Sequence, residues 1–121
     1  MGSHYEKAGG MPVIYAVIRD FYDAVFDDVM IGFHFRNADK ARLIDKECEL
    51  AAKMLGATHI QYTGEPLKKA HQKHPIFGGQ FERRLKLLVD AMDAHGLPED
   101  VKLVWIDHTN ALREQVVQRP C

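Results

Sequence analysis

A chain of 121 residues, 46% hydrophobic and 27% charged, has the length and composition of one ordinary globular domain with its own core. A formal charge of -1 excludes the basic excess of a nucleic-acid-binding surface, and no apolar run approaches the roughly 18 residues of a membrane span. Two cysteines, Cys48 and Cys121, make no disulfide framework, and the first dozen residues hold no apolar signal segment, so a cytoplasmic setting is expected.

Met1 to His4 reads as a disordered or tag-derived start. Tyr5 to Ala8 allows at most one helical turn, which Gly9-Gly10 ends in a reversal. Pro12 suits the first turn of a longer helix, on which Ile14, Ile18, Phe21, Tyr22 and Val25 recur at helical spacing. Asp27-Asp28 breaks it and offers an N-cap. Val29 to Phe35 is apolar but interrupted by Gly32, which predicts a turn or two of tight helix carrying bulky side chains. Asn37 or Asp39 caps a helix to about Leu55, followed by Gly56 as its C-terminal glycine.

That helix breaks its own pattern. Leu43, Leu50, Ala51 and Met54 form its expected apolar face, and position 47 lies on the same face. The residue there is Glu47, and an unpaired carboxylate in an apolar setting costs several kcal/mol or takes up a proton. The alternative is a rotated helix whose Glu47 reaches solvent at the edge of the stripe. Tyr22, on the apolar face of another helix, brings a second polar group that needs a partner if buried.

Residues 57–65 read as a polar loop. Pro66 can open a short helix that Pro75 ends, and Leu67 and His71 share a face of it. A neutral imidazole on a short rigid apolar segment suits an axial metal ligand, and equally a part-buried histidine near a helix end. His71 and His74 could also supply half of a zinc site, with no cysteine pair or carboxylate cluster to complete it. Phe77-Gly78-Gly79 reads as a hinge. Phe81, Leu85, Leu88 and Met92 mark a further helix ending at His95-Gly96. Pro98 opens the last, with Val101, Trp105, His108 and Leu112 on one face. His59, His95 and His108 read as surface or packing residues. The fold class is all-α, with four substantial helices and two short ones.

Taken in order, Tyr5-Glu6-Lys7-Ala8-Gly9-Gly10, Asp20-Phe21-Tyr22, Phe35, Leu55-Gly56-Ala57, Tyr62-Thr63-Gly64, Pro66-Leu67 and Ala70-His71 resemble the truncated haemoglobins. These are small globins folded as a two-over-two helical sandwich around haem, and the spacing is most like the group with paired glycines, group I. The resemblance runs from Tyr5 to Val117, implying one globin domain over 5–117 and a tail at 118–121. Gly56-Ala57 replaces the family's second glycine pair, Glu47 stands where glutamine is frequent, and His34 precedes Phe35 where an aromatic residue is frequent.

The resemblance implies haem b, with His71 as proximal iron ligand. It places Tyr22, Leu43 and Glu47 around the gas, with Leu43 unable to donate and Glu47 either accepting from Tyr22 or neutral. It makes Lys46 a sixth ligand or a propionate contact. Phe35, Leu50, Met54, Leu67, Ile76, Phe81, Leu85 and Leu88 would pack on the haem. The implied ligands are oxygen, nitric oxide and carbon monoxide. The implied enzymatic activity is oxidation of nitric oxide to nitrate, with a reductase as partner. A haem-based gas or redox sensor is the alternative, and a cofactor-free helical interaction module the more distant one.

Overall fold

The structure is a computed structural model that describes residues 3–63 and 78–113. Helix α1 spans His4–Ala8, α2 Met11–Asp27, α3 Lys40–Met54, α4 Gly78–Ala94 and α5 Glu99–Ala111, with a 3-10 turn at Gly32–Phe35 between α2 and α3. Among the described residues there is no strand, and no helix is long and apolar enough to cross a membrane. The all-α expectation holds. The predicted short helix of residues 66–75, with Leu67, His71, His74 and Ile76, lies outside the described residues.

Helix α2 is the element the others share, packing along both α3 and α4, while α5 lies against α1, α3 and α4. Pro12 sits in its first turn, where no N–H is needed. Ile14, Val17, Ile18, Phe21, Tyr22 and Val25 recur every three or four residues and are all buried. Gly9 and Gly10 make the reversal before it at φ +107° and +76°, a region side chains disfavour.

Asp28 ends α2 and starts the next turn. Its backbone N–H bonds to the Val25 carbonyl, and its Oδ1 accepts from the Met30 and Ile31 N–H groups at 2.9 and 3.1 Å. Its Oδ2 accepts from Arg83 Nε of α4 at 2.8 Å. The Arg83 hydrogen bond holds the Asp28 carboxyl below the usual carboxylate range. Gly32 follows because a Cβ there would stand 2.8 Å from the Phe26 carbonyl oxygen and 3.2 Å from that of Val25. Expected only as a poor helix former, it is required by close backbone approach.

Asp39 rather than Asn37 caps α3, accepting from the Arg42 N–H at 3.1 Å. The fully buried stripe is Ile44, Cys48, Ala51 and Ala52, continued by Leu55. Of the face expected from sequence only Ala51 belongs to it; Leu43, Leu50 and Met54 are half-buried. The helix is turned about one residue, roughly 100°, because small Ala51, Ala52 and Cys48 let it lie close against α2.

Two further expectations shift. Ser3 and His4 belong to the fold: Ser3 Oγ caps α1 by accepting from the Glu6 N–H, and the Tyr5 N–H bonds to the Leu55 carbonyl at 2.8 Å. Gly78 and Gly79, expected as a hinge, already lie within α4. At its other end His95 Nε2 meets Asp20 Oδ2 of α2 at 2.7 Å, then Gly96 turns at φ +63°. On α5, Val101, Trp105 and Thr109 are buried.

A Gly32→Ala substitution pushes its methyl against backbone oxygens that cannot swing aside. Chemical unfolding should show a loss of about 1–3 kcal/mol, the usual cost of overpacking; an unchanged midpoint would contradict the close packing of this corner.

Candidate functional site

Four helices bring polar side chains together beneath the aromatic residues of α2. The Tyr22 ring is buried edge-on to Phe21, Phe26 and Phe35, with centroids 4.9, 6.4 and 6.2 Å away. Burial, reinforced by the charge of Glu47, pushes its phenol well above the ordinary tyrosine value, with Arg84 opposing through its charge and a hydrogen bond. Tyr22 therefore remains a neutral O–H donor throughout the physiological range.

Glu47 of α3 has a partner the sequence reading lacked. Arg84 Nη2 of α4 donates to Glu47 Oε1, and the two side chains keep only 24% and 18% of their surface. The Arg84 guanidinium also stacks over the Phe21 ring at 4.9 Å. So Glu47 neither escapes to solvent nor stands alone; it is the anion of a largely covered ion pair. The signal for Arg84 was present in the chain. It falls three residues after Phe81 and four before Leu88, on the same apolar face of α4.

His108 of α5, expected at the surface or in packing, is half-buried. Its Nε2 is buried with no hydrogen-bond partner among the described residues. Burial lowers its pKa against the opposing charge of Glu47, so it is neutral at pH 7. Cys48, next to Glu47 in sequence, is pushed up to about 12, first by burial, and stays a thiol.

Leu43, Leu50 and Met54 flank Glu47 on the half-buried row of α3; Phe35 and Leu85 are likewise half-buried. Phe81 and Leu88, expected as haem contacts, are already covered by protein atoms at 2% exposure each. Lys46 is engaged elsewhere: its amine contacts the Thr63 hydroxyl and lies 3.6 Å from Glu49 Oε2. Glu49 also accepts from the Thr63 N–H at 2.7 Å, which holds its carboxyl below the usual range. His34 is half-buried beside the Phe33 ring, with its Nε2 buried and unpartnered among the described residues. Among those residues no group of three or more His, Cys, Asp or Glu could hold a metal. An open cleft lined by Lys53, Ala57, Ile60 and Tyr62 shares no residue with the Tyr22 cluster.

These residues fit one side of a haem site. A planar macrocycle needs an apolar wall and, where a gas enters, a hydrogen-bond donor. The half-buried row of α3 with Phe35 and Leu85 offers the wall, and Tyr22 the donor.

Residues 3–118 match the family described as bacterial-like globin. A group 1 truncated hemoglobin, GlbN of Mycolicibacterium paratuberculosis, is 34% identical over 98 residues, which cover 81% of this chain and 71% of that protein. The chain belongs to the group 1 truncated haemoglobins. The Synechocystis GlbN is 27% identical over 105 residues, 84% of either chain. Among solved structures, the truncated hemoglobin of Tetrahymena pyriformis in its Fe(III) form superposes with a TM-score of 0.89 at 20% identity, covering 98% of this chain and 100% of that one. The 2/2 hemoglobin of a Synechococcus species, in the cyanomet state with covalently attached heme, matches with the same TM-score and coverage at 22% identity. The two-over-two fold is thereby established. Membership makes haem the cofactor and diatomic gases the ligands of this truncated haemoglobin.

Because the folded state resists ionising Tyr22, the unfolded chain releases that proton first. This contribution to stability is intact below the ordinary tyrosine value of about 10 and is lost as pH rises above it. In an alkaline titration followed by tyrosinate absorbance, Tyr22→Phe should leave the folded-state amplitude unchanged. A smaller amplitude would show that Tyr22 ionises like an exposed residue.

Proposed function

We propose that this truncated haemoglobin holds haem b through His71 and retains oxygen at a site bounded by Tyr22, Leu43 and Glu47. We propose further that the oxygen-loaded protein converts nitric oxide to nitrate, with a reductase as electron donor. The observation that carries this reading is the buried, neutral Tyr22 hydroxyl set beside the Glu47–Arg84 pair and next to the apolar wall of α3.

When bound, haem supplies an iron with one position open to a diatomic ligand. The rest falls to side chains. His71 anchors the group from the stretch that opens after Thr63. Tyr22 donates to a ligand atom that gains negative charge, an interaction worth about 1.5–3 kcal/mol. Leu43 excludes a competing water by being apolar. Arg84 neutralises Glu47, whose lone carboxylate would otherwise repel that charge. Phe35, Leu50, Met54 and Leu85 give the macrocycle apolar contact, joined by Leu67 and Ile76, while Phe81 and Leu88 back them from the core.

Lys46 suits the wet edge better than the iron. Its ammonium is shared by Glu49 and Thr63, and it would have to leave both and lose a proton to act as a ligand. A contact with a haem propionate needs neither change. A five-coordinate spectrum of the reduced, gas-free protein would bear out this placement, and a six-coordinate one would overturn it.

The purified protein should be red, with a strong Soret band, and His71→Gly should lose the pigment or change its spectrum. An unchanged spectrum in that variant would overturn the assignment of His71. Tyr22→Phe should release oxygen about ten- to a hundredfold faster, the equivalent of one charge-assisted hydrogen bond; unaltered release would remove Tyr22 from the site. With a reductase supplied, the oxygen-loaded protein should yield about one nitrate per nitric oxide consumed.

A further inference from the structure

The proposed function gives Arg84 no task beyond neutralising Glu47. A carboxylate on an inward face needs a cation, yet a lysine or a protonated histidine could satisfy that need. The group present is a guanidinium, with five N–H donors in a fixed planar fork and a charge that persists at every working pH. Glu47 Oε1 takes one donor, and Tyr22 lies within hydrogen-bond reach of another. Those two acceptors need fewer donors than the fork offers. The Phe21 ring, 4.9 Å away, covers one face and holds the group in place. Both partners keep about a fifth of their surface, so the pair is not sealed from solvent. The neighbouring Arg83 is committed otherwise, to Asp28 through both its Nε and Nη2.

From this geometry we propose that Arg84 is an anion-binding residue of the gas site, and that Glu47 is the internal counter-anion with which an entering small monovalent inorganic anion competes. The inference rests on the reading that Tyr22 marks the side where ligands enter. The Tyr22 hydroxyl then supplies a second donor to the same anion. Carbon monoxide, neutral and weakly polar, does not compete with Glu47 for the fork, so the pair discriminates by ligand charge. Glu47 lowers the affinity for anions, and Arg84 raises it.

Opposite signs make the proposal testable. Sodium azide is titrated into the oxidised, haem-loaded protein at constant ionic strength and followed by the Soret band, and carbon monoxide affinity of the reduced protein is measured in parallel. Arg84→Met should weaken azide binding by about tenfold or more, since it removes a charged donor and leaves Glu47 unopposed. Glu47→Gln should tighten it by about three- to tenfold, because the amide competes less well for the fork. The double variant should fall between the two. Carbon monoxide affinity should move less than azide affinity in each of them, because the neutral gas brings no charge to the pair. If Arg84→Met does not fold, Arg84→Lys keeps the charge, loses the fork and should give an intermediate loss.

A pair that serves structure alone would shift azide affinity in the same direction in both single variants, or shift carbon monoxide equally, and either result overturns the proposal. Pigmented variants with unaltered azide affinity overturn it while leaving the haem reading standing. A colourless wild-type protein would overturn both.

Discussion

The placement of a carboxylate inside an apolar face, and its neutralisation from across the core, governs this molecule. Glu47 on α3 would cost several kcal/mol if it were buried alone. Arg84 on α4 removes that penalty, and in doing so ties together two helices that both lean on α2. Tyr22 lies beside the pair, kept neutral first by burial and then by the charge of Glu47, with three aromatic rings closing around it. A hydrophobic core alone would fix the helices at the same distances without giving the site a charge pattern. The ion pair adds that pattern, beside the buried Tyr22 hydroxyl.

A second set of contacts works at the rim. Glu49 receives both the backbone N–H and the hydroxyl of Thr63, with Lys46 alongside. Thr63 is therefore fixed on α3, the same helix that carries Glu47 and the half-buried row of Leu43, Leu50 and Met54.

The helices themselves were legible from local chemistry. Pro12, the glycine pair at 9 and 10, Asp39, Gly56 and Pro98 each act through one backbone requirement that needs no knowledge of neighbours. The buried face of α2 was equally plain, because long apolar side chains dominate it. The rotation of α3 was not. Its buried stripe includes Ala51, Ala52 and Cys48, whose small side chains mark a face less plainly than Leu43, Leu50 and Met54 do. Gly78 and Gly79 looked like a break, yet helix α4 includes them. Tyr22 and Glu47 were recognised as polar groups on inward faces, and Arg84 was the same kind of violation on α4 but went unread. Pairing two such violations across helices requires knowing which faces meet, and sequence periodicity does not supply that.

Arg83 and Arg84 are consecutive, so their side chains leave α4 about 100° apart. One is claimed by Asp28 at the corner after α2, the other by Glu47 on α3. Two acids on different elements thus clamp the azimuth of a single helix, as two guy-lines stop a mast from turning. Loosening the outer line at Asp28 would let the mast swing, and the guanidinium under the aromatic canopy would swing with it. The corner after α2 is in this way mechanically continuous with the charge at the centre.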